Sequence, residues 1–277
     1  MDKSLFVAMD NGRQLFSKVP EIITIYFWVT KILTTGMGEA FADYLLNTTS
    51  HPVWVVIVTA FVLIASLVLQ VSLRRYVAWV YWLVVVMVSV FGTMAADVVH
   101  FWWGIPLTVS TPFFATAMII IFIAWYVSEK TLSIHSICTR KREAFYWSAV
   151  LVTFALGTAA GDLAASTINL GYVSSDLYSA ILFTILLIVP AIGLWFFGLN
   201  KIAAFWFAYI MTRPVGASFA DWISKPNGLD MGVDKVSLVL SVLIIILIAY
   251  LTISRIDIKK RPALSHTQTD PSTNKTG

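Results

Sequence analysis

The chain has 277 residues, 58% of them hydrophobic and only 12% charged, with a mean hydropathy of +0.82, so a water-soluble globule would lack the polar residues to cover its surface. The formal net charge of +4 comes without a basic stripe interleaved with aromatics, which argues against a nucleic-acid partner. The lone cysteine, Cys138, excludes an intramolecular disulfide and a thiolate cluster. This is the composition of an integral membrane protein whose first partner is the lipid bilayer.

Residues 1–17 are a mixed segment with Asp2, Lys3, Asp10 and Arg13. They do not match the basic n-region and cleavage site of a secretory signal, so the segment is expected to be retained. Apolar runs of about the twenty residues needed to cross the hydrocarbon core follow from near Ile22 to Leu45, Val53 to Leu73, Val77 to Val98, Pro112 to Val127, Phe145 to Ala165, Leu177 to Phe197, Ala203 to Ala220 and Val236 to Ile253. They predict an all-α polytopic protein of eight transmembrane helices. From 258 to 277 the composition turns polar and reads as a disordered tail.

Arg74, Arg75, Lys130, Arg140, Lys141, Arg142, Lys201, Arg255, Lys259, Lys260 and Arg261 fall in alternate connections, on the same side as Lys3, Arg13 and Lys18. The opposite connections hold only Lys225 and Lys235. The positive-inside rule therefore places both termini in the cytoplasm.

The chain repeats itself. Trp28, Gly38, Ala42 and Asp43 recur in the same frame as Trp82, Gly92, Ala96 and Asp97, as Trp147, Gly157, Gly161 and Asp162, and as Trp206, Gly216, Ala220 and Asp221. All four copies obey W-x9-G-x3-[AG]-D without a gap, at intervals of 54, 65 and 59 residues, and an aromatic precedes each Trp: Phe27, Tyr81, Tyr146 and Phe205. The organisation read from this is repeat 1 at 18–73, repeat 2 at 74–130, a cytoplasmic linker at 131–139, repeat 3 at 140–199 and repeat 4 at 200–257. Two crossings per copy return the chain to its starting side, so the four motif helices are expected to be parallel.

This pattern resembles a family of bacterial inner-membrane proteins built from four tandem repeats of unknown function, each with two transmembrane segments and a characteristic tryptophan. Trp28, Trp82, Trp147 and Trp206 match that tryptophan. The resemblance implies a bacterial inner membrane as the location and brings no activity with it.

At 100° per residue, Gly and Asp five apart lie about 140° apart on a helix, so they face different neighbours. The Gly-x3-[AG] pairs have the small-xxx-small spacing of closely packed membrane helices. Each Trp sits near the cytoplasmic entry, where interfacial anchoring is the simpler reading and a ligand cage the other. The four Asp residues near the helix C-termini meet the negative end of the helix dipole and need a cation, a proton or a donor. They are either separately satisfied caps or convergent ligands of a cation.

The residue after the motif glycine is Glu39, Thr93, Thr158 or Ala217, so copy one presents two carboxylates, Glu39 and Asp43, on one face. The candidate metal ligands are Glu39, Asp43, Asp97, Asp162 and Asp221, an oxygen-rich set suited to Mg²⁺ or Mn²⁺. Thr93 and Thr158 are expected as neutral auxiliaries, His100 as a neighbour orienting Asp97, and Lys31 and Arg213 as internal counter-charges, with snorkelling the other reading of Lys31.

Enzyme chemistry is not expected. "GTAAGD" at 157–162 departs from the G-x-G-D of intramembrane aspartyl proteases, and neither a G-x-S-G with a partner histidine nor an H-E-x-x-H occurs. The expectation is a cation transporter, with a divalent metal such as manganese as substrate, coupled to a gradient. No covalent cofactor and no nucleic acid are expected, and oligomerisation is left open. The alternative is a non-transporting membrane sensor or assembly partner in which the aspartates are structural.

Overall fold

A computed structural model describes residues 17–167 and 174–258. Residues 1–16 and the tail from 259 lie outside the described residues. Eight long helices, and no strand, occur among the described residues: α1 Ile25–Thr48, α2 Pro52–Ser72, α3 Ala78–Asp97, α4 Leu107–Glu129, α5 Arg140–Thr167, α6 Ser175–Phe196, α7 Lys201–Ser224 and α8 Val233–Ser254. Local chemistry sets several ends. Asn200 Oδ1 accepts from the backbone N–H of Ile202 at 2.8 Å and so caps α7. Lys130 and Arg255 take left-handed backbone at φ 54° and 50° to terminate α4 and α8.

Six helices, α2 to α6 and α8, are long and apolar enough to cross a membrane, and the chain is a multi-pass membrane protein on that count. The other two, α1 and α7, carry Lys31, Glu39 and Asp43, and Lys201, Arg213 and Asp221.

The motif helices α1, α3, α5 and α7 each pack on the next, and α7 packs on α1, so they close a four-membered ring. The second helix of each repeat packs mainly against the motif helix of the following repeat: α2 on α3, α4 on α5, α6 on α7, and α8 back on α1. This places the motif helices inside and the second helix of each repeat outside. Only 11% of the apolar stretch of α4 is buried, against 56% for α3 and α5, and the outward faces carry Phe61, Phe113 and Ile245.

The motif glycines make the ring close. A Cβ on Gly38 would strike Ser89, on Gly92 it would strike Phe154, on Gly157 it would strike Arg213, and on Gly216 it would strike Thr35 and the backbone of Gly36 and Ile32. In every case the partner stands seven residues after the tryptophan of the next repeat, counted cyclically. One contact rule, applied four times, builds the bundle.

The aromatics obey a second cyclic rule. Phe27 packs on Trp82, Tyr81 on Trp147, Tyr146 on Trp206 and Phe205 on Trp28, with ring centroids 5.5, 5.6, 6.0 and 5.7 Å apart. Trp82, Trp147 and Trp206 are therefore buried, and Trp206 Nε1 donates to the Leu132 carbonyl at 2.9 Å. The interfacial-anchor reading of the tryptophans gives way to an interlocked girdle at the N-terminal end of the motif helices. Tyr81 and Tyr146 join hydroxyl to hydroxyl at 2.6 Å within it.

The segment before α1 straps this same end. Lys18 Nζ pairs with the buried Glu143 at 2.5 Å, Tyr76 N–H donates to the Ser17 carbonyl at 2.8 Å, and Glu21 and Ile22 N–H donate to the Asp257 carbonyl at 3.0 Å. Glu143, which follows three basic residues, is the buried partner of a lysine 125 positions away.

Candidate functional site

The polar side chains of the motif helices converge in layers along the ring. In the deeper layer, Arg213 Nη2 lies 2.6 Å from Glu39 Oε2 and 2.6 Å from Thr158 Oγ1, and also bonds Thr93 Oγ1. Thr93 Oγ1 lies 3.2 Å from the same Glu39 oxygen, and Arg213 Nη1 reaches the Thr35 carbonyl at 3.4 Å. Glu39, Thr93 and Thr158 are equivalent positions of repeats 1, 2 and 3, each following its motif glycine. Repeat 4 has Ala217 there and supplies the arginine from one turn earlier. The two threonines are thus arranged around a resident guanidinium.

Four residues further along, about 6 Å of helix rise, stand the motif aspartates. One oxygen each from Glu39, Asp162 and Asp221 lies within 4.8 Å of the other two, bringing repeats 1, 3 and 4 together. Asp43 is joined to the group through Lys225, whose Nζ lies 3.4 Å from Asp43 Oδ2 and 2.8 Å from Asp221 Oδ1. The second contact is a charge contact and not an aligned hydrogen bond. Asp97 stands outside the trio.

Side-chain exposure falls from 40% at Lys225 through 18% at Asp43 and 8% at Asp221 to 4% at Glu39 and 1% at Arg213. The acidic layer is reached from the C-terminal end of the motif helices, and Lys225 stands at its mouth. Burial works against the charge of Lys225, but Asp221, Asp43 and Glu39 outweigh it and hold the ammonium above its ordinary range. Sequence reasoning passed over Lys225 as a loop residue. Its position four residues after Asp221 was the available signal.

Two expected auxiliaries sit elsewhere. After Asp97 the helix widens into a π-turn over Val98–Trp102, which shifts the angular register, and His100 Nδ1 meets the Ile105 carbonyl at 3.0 Å, so His100 serves that turn. Lys31 is fully buried and does not snorkel. Its Nζ lies 4.0 Å above the Phe154 ring and 4.3 Å above that of Tyr209, with no hydrogen-bond partner among the described residues. Lys31 thus stands between the arginine layer and the aromatic girdle.

A repeat described as Repeat of Unknown Function (DUF347) matches residues 26–76, 80–131, 145–198 and 204–257, more than half of the chain. The chain belongs to this repeat family. Each matched DUF347 segment holds one motif helix and the outer helix that follows it. No curated protein and no solved structure matches the chain.

Proposed function

We propose that this chain is a membrane carrier for a small cation, with a divalent metal such as manganese as substrate. The observation that carries the reading is the meeting of Glu39, Asp162 and Asp221, from three different repeats, within 4.8 Å. Each charge in a membrane interior costs a few kcal/mol, and separately satisfied caps would have no reason to gather. Five carboxylates, Glu39, Asp43, Asp97, Asp162 and Asp221, face two nearby cations, Arg213 and Lys225. When all are ionised the surplus is three negative charges, which a divalent ion offsets in large part. Oxygen-only ligands suit Mg²⁺ or Mn²⁺.

A carrier fits better than an open pore. A cation leaving the acidic layer toward the N-terminal end of the motif helices would meet Arg213, then Lys31, then the aromatic girdle. In this reading all eight helices cross a bacterial inner membrane, both termini are cytoplasmic as the basic connections require, and the acidic layer opens to the outer side. The alternative, a sensor or assembly protein with structural aspartates, is favoured by the contacts of Asp43 and Asp221 with Lys225 and of Glu39 with Arg213.

Flux of manganous ion into proteoliposomes decides between them. Wild type should accumulate the ion and Asp221→Asn should lose at least about tenfold of that rate while remaining folded. Equal flux in the two, or none above empty liposomes in wild type, would sink the transport reading.

A further inference from the structure

The acidic layer and the arginine layer share one residue. Glu39 contributes an oxygen to the trio with Asp162 and Asp221 and is also the carboxylate paired with Arg213. We propose that Arg213 is a tethered cation that competes with the transported ion for Glu39 and takes that ion's place in the empty carrier. The proposal rests on the transport reading and adds how the site is regulated.

The seat of the guanidinium supports exchange over permanent attachment. A guanidinium has five N–H donors, and a buried one held only for structure is stable when its donors are met. Here Nη2 offers two hydrogens to three oxygens, Nη1 has a single carbonyl at 3.4 Å, and the buried Nε finds no acceptor among the described residues. The stem, by contrast, is clamped, because Cβ and Cγ of Arg213 lie where a side chain on Gly157 would be. The head can turn on a fixed stem.

Repeat 4 also lacks an oxygen at the position that Glu39, Thr93 and Thr158 occupy, having Ala217. The arginine therefore completes a layer to which the other three repeats supply only oxygens. With a metal ion on Glu39, Asp162 and Asp221, the guanidinium retains the two threonine hydroxyls and the Thr35 carbonyl. With the metal gone, it neutralises Glu39, and the empty site can change its side of the membrane without carrying the full uncompensated charge.

This predicts a separation of two transport modes. Net uptake requires the empty carrier to return, whereas exchange of labelled for unlabelled manganous ion does not. In proteoliposomes, Arg213→Gln should reduce net uptake by at least about tenfold while exchange stays within about threefold, and manganous ion should bind about tenfold more tightly, a change of about 1.4 kcal/mol. Thr93→Val with Thr158→Val, which loosens the guanidinium but removes no charge, should shift both quantities the same way by less. This pair carries the test if Arg213→Gln does not fold. Net uptake and exchange falling together, or neither changing, overturns the proposal. If wild type supports neither mode, the transport reading fails first and takes the proposal with it.

Discussion

Gly216 and Gly161 allow the packing rule to be tested with a single methyl group. A Cβ on Gly216 would run into Thr35 Oγ1 and within 2.8 Å of the Gly36 nitrogen and the Ile32 carbonyl oxygen, where backbone cannot step aside. A Cβ on Gly161 would meet Ser218 Oγ at 3.7 Å and Pro214 at 3.9 Å, ordinary contact. Alanine gains roughly 1 kcal/mol over glycine in a helix at either site, while overpacking costs roughly 1–3 kcal/mol and applies only at 216. Gly216→Ala should therefore lose up to about 2 kcal/mol where Gly161→Ala gains up to about 1. Unfolding of the two variants in mixed micelles should differ by several degrees, at roughly 2–4 °C per kcal/mol for a domain of this size. Equal midpoints, or a less stable Gly161→Ala, would refute the cyclic glycine contacts.

Lys31→Met removes a buried amine that has ring faces but no acceptor among the described residues; the desolvation saved should exceed the attraction to the rings that is lost, raising stability by about 1–3 kcal/mol, and a lower unfolding midpoint in micelles would show that the rings satisfy Nζ. Orientation is read by labelling intact cells with an impermeant thiol reagent in a Cys138→Ser background. Asp230→Cys, in the connection after α7, should react from outside and Lys141→Cys should not, the reverse pattern refuting cytoplasmic termini.

Much of the architecture was legible because it is periodic. The helices followed from apolar run lengths, and the fourfold repeat from Trp, Gly and Asp at fixed spacing. The close packing of the motif glycines followed from the space that glycine leaves. What the spacing did not reveal is which neighbour each residue meets. Gly38 touches Ser89 and Phe27 touches Trp82, contacts between different offsets of successive repeats, and a helix-face argument fixes an angle but not the partner across the ring.

The tryptophans misled for the same reason. An indole near a helix end reads as interfacial when the aromatic of the preceding repeat that covers it is unknown. His100 and Asp97 were separated by a π-turn that no residue in "DVVHFW" announces. Arg213 was legible as a counter-charge, but its partner, Glu39, lies 174 residues away and not on its own helix. The gathering of Asp162 and Asp221 with Glu39, leaving Asp97 aside, came only from the ring closing.

That selection gives the most direct measurement of the central claim. Manganous ion free in solution gives a paramagnetic resonance signal that is lost on binding, so titration of purified protein counts ions per chain and their affinity. The account predicts one ion per wild-type chain, with affinity at least about tenfold weaker, or about 1.4 kcal/mol, in each of Glu39→Gln, Asp162→Asn and Asp221→Asn, and changed by less than about threefold in Asp97→Asn. No binding by wild type, or a loss in Asp97→Asn as large as in the other three, would contradict it.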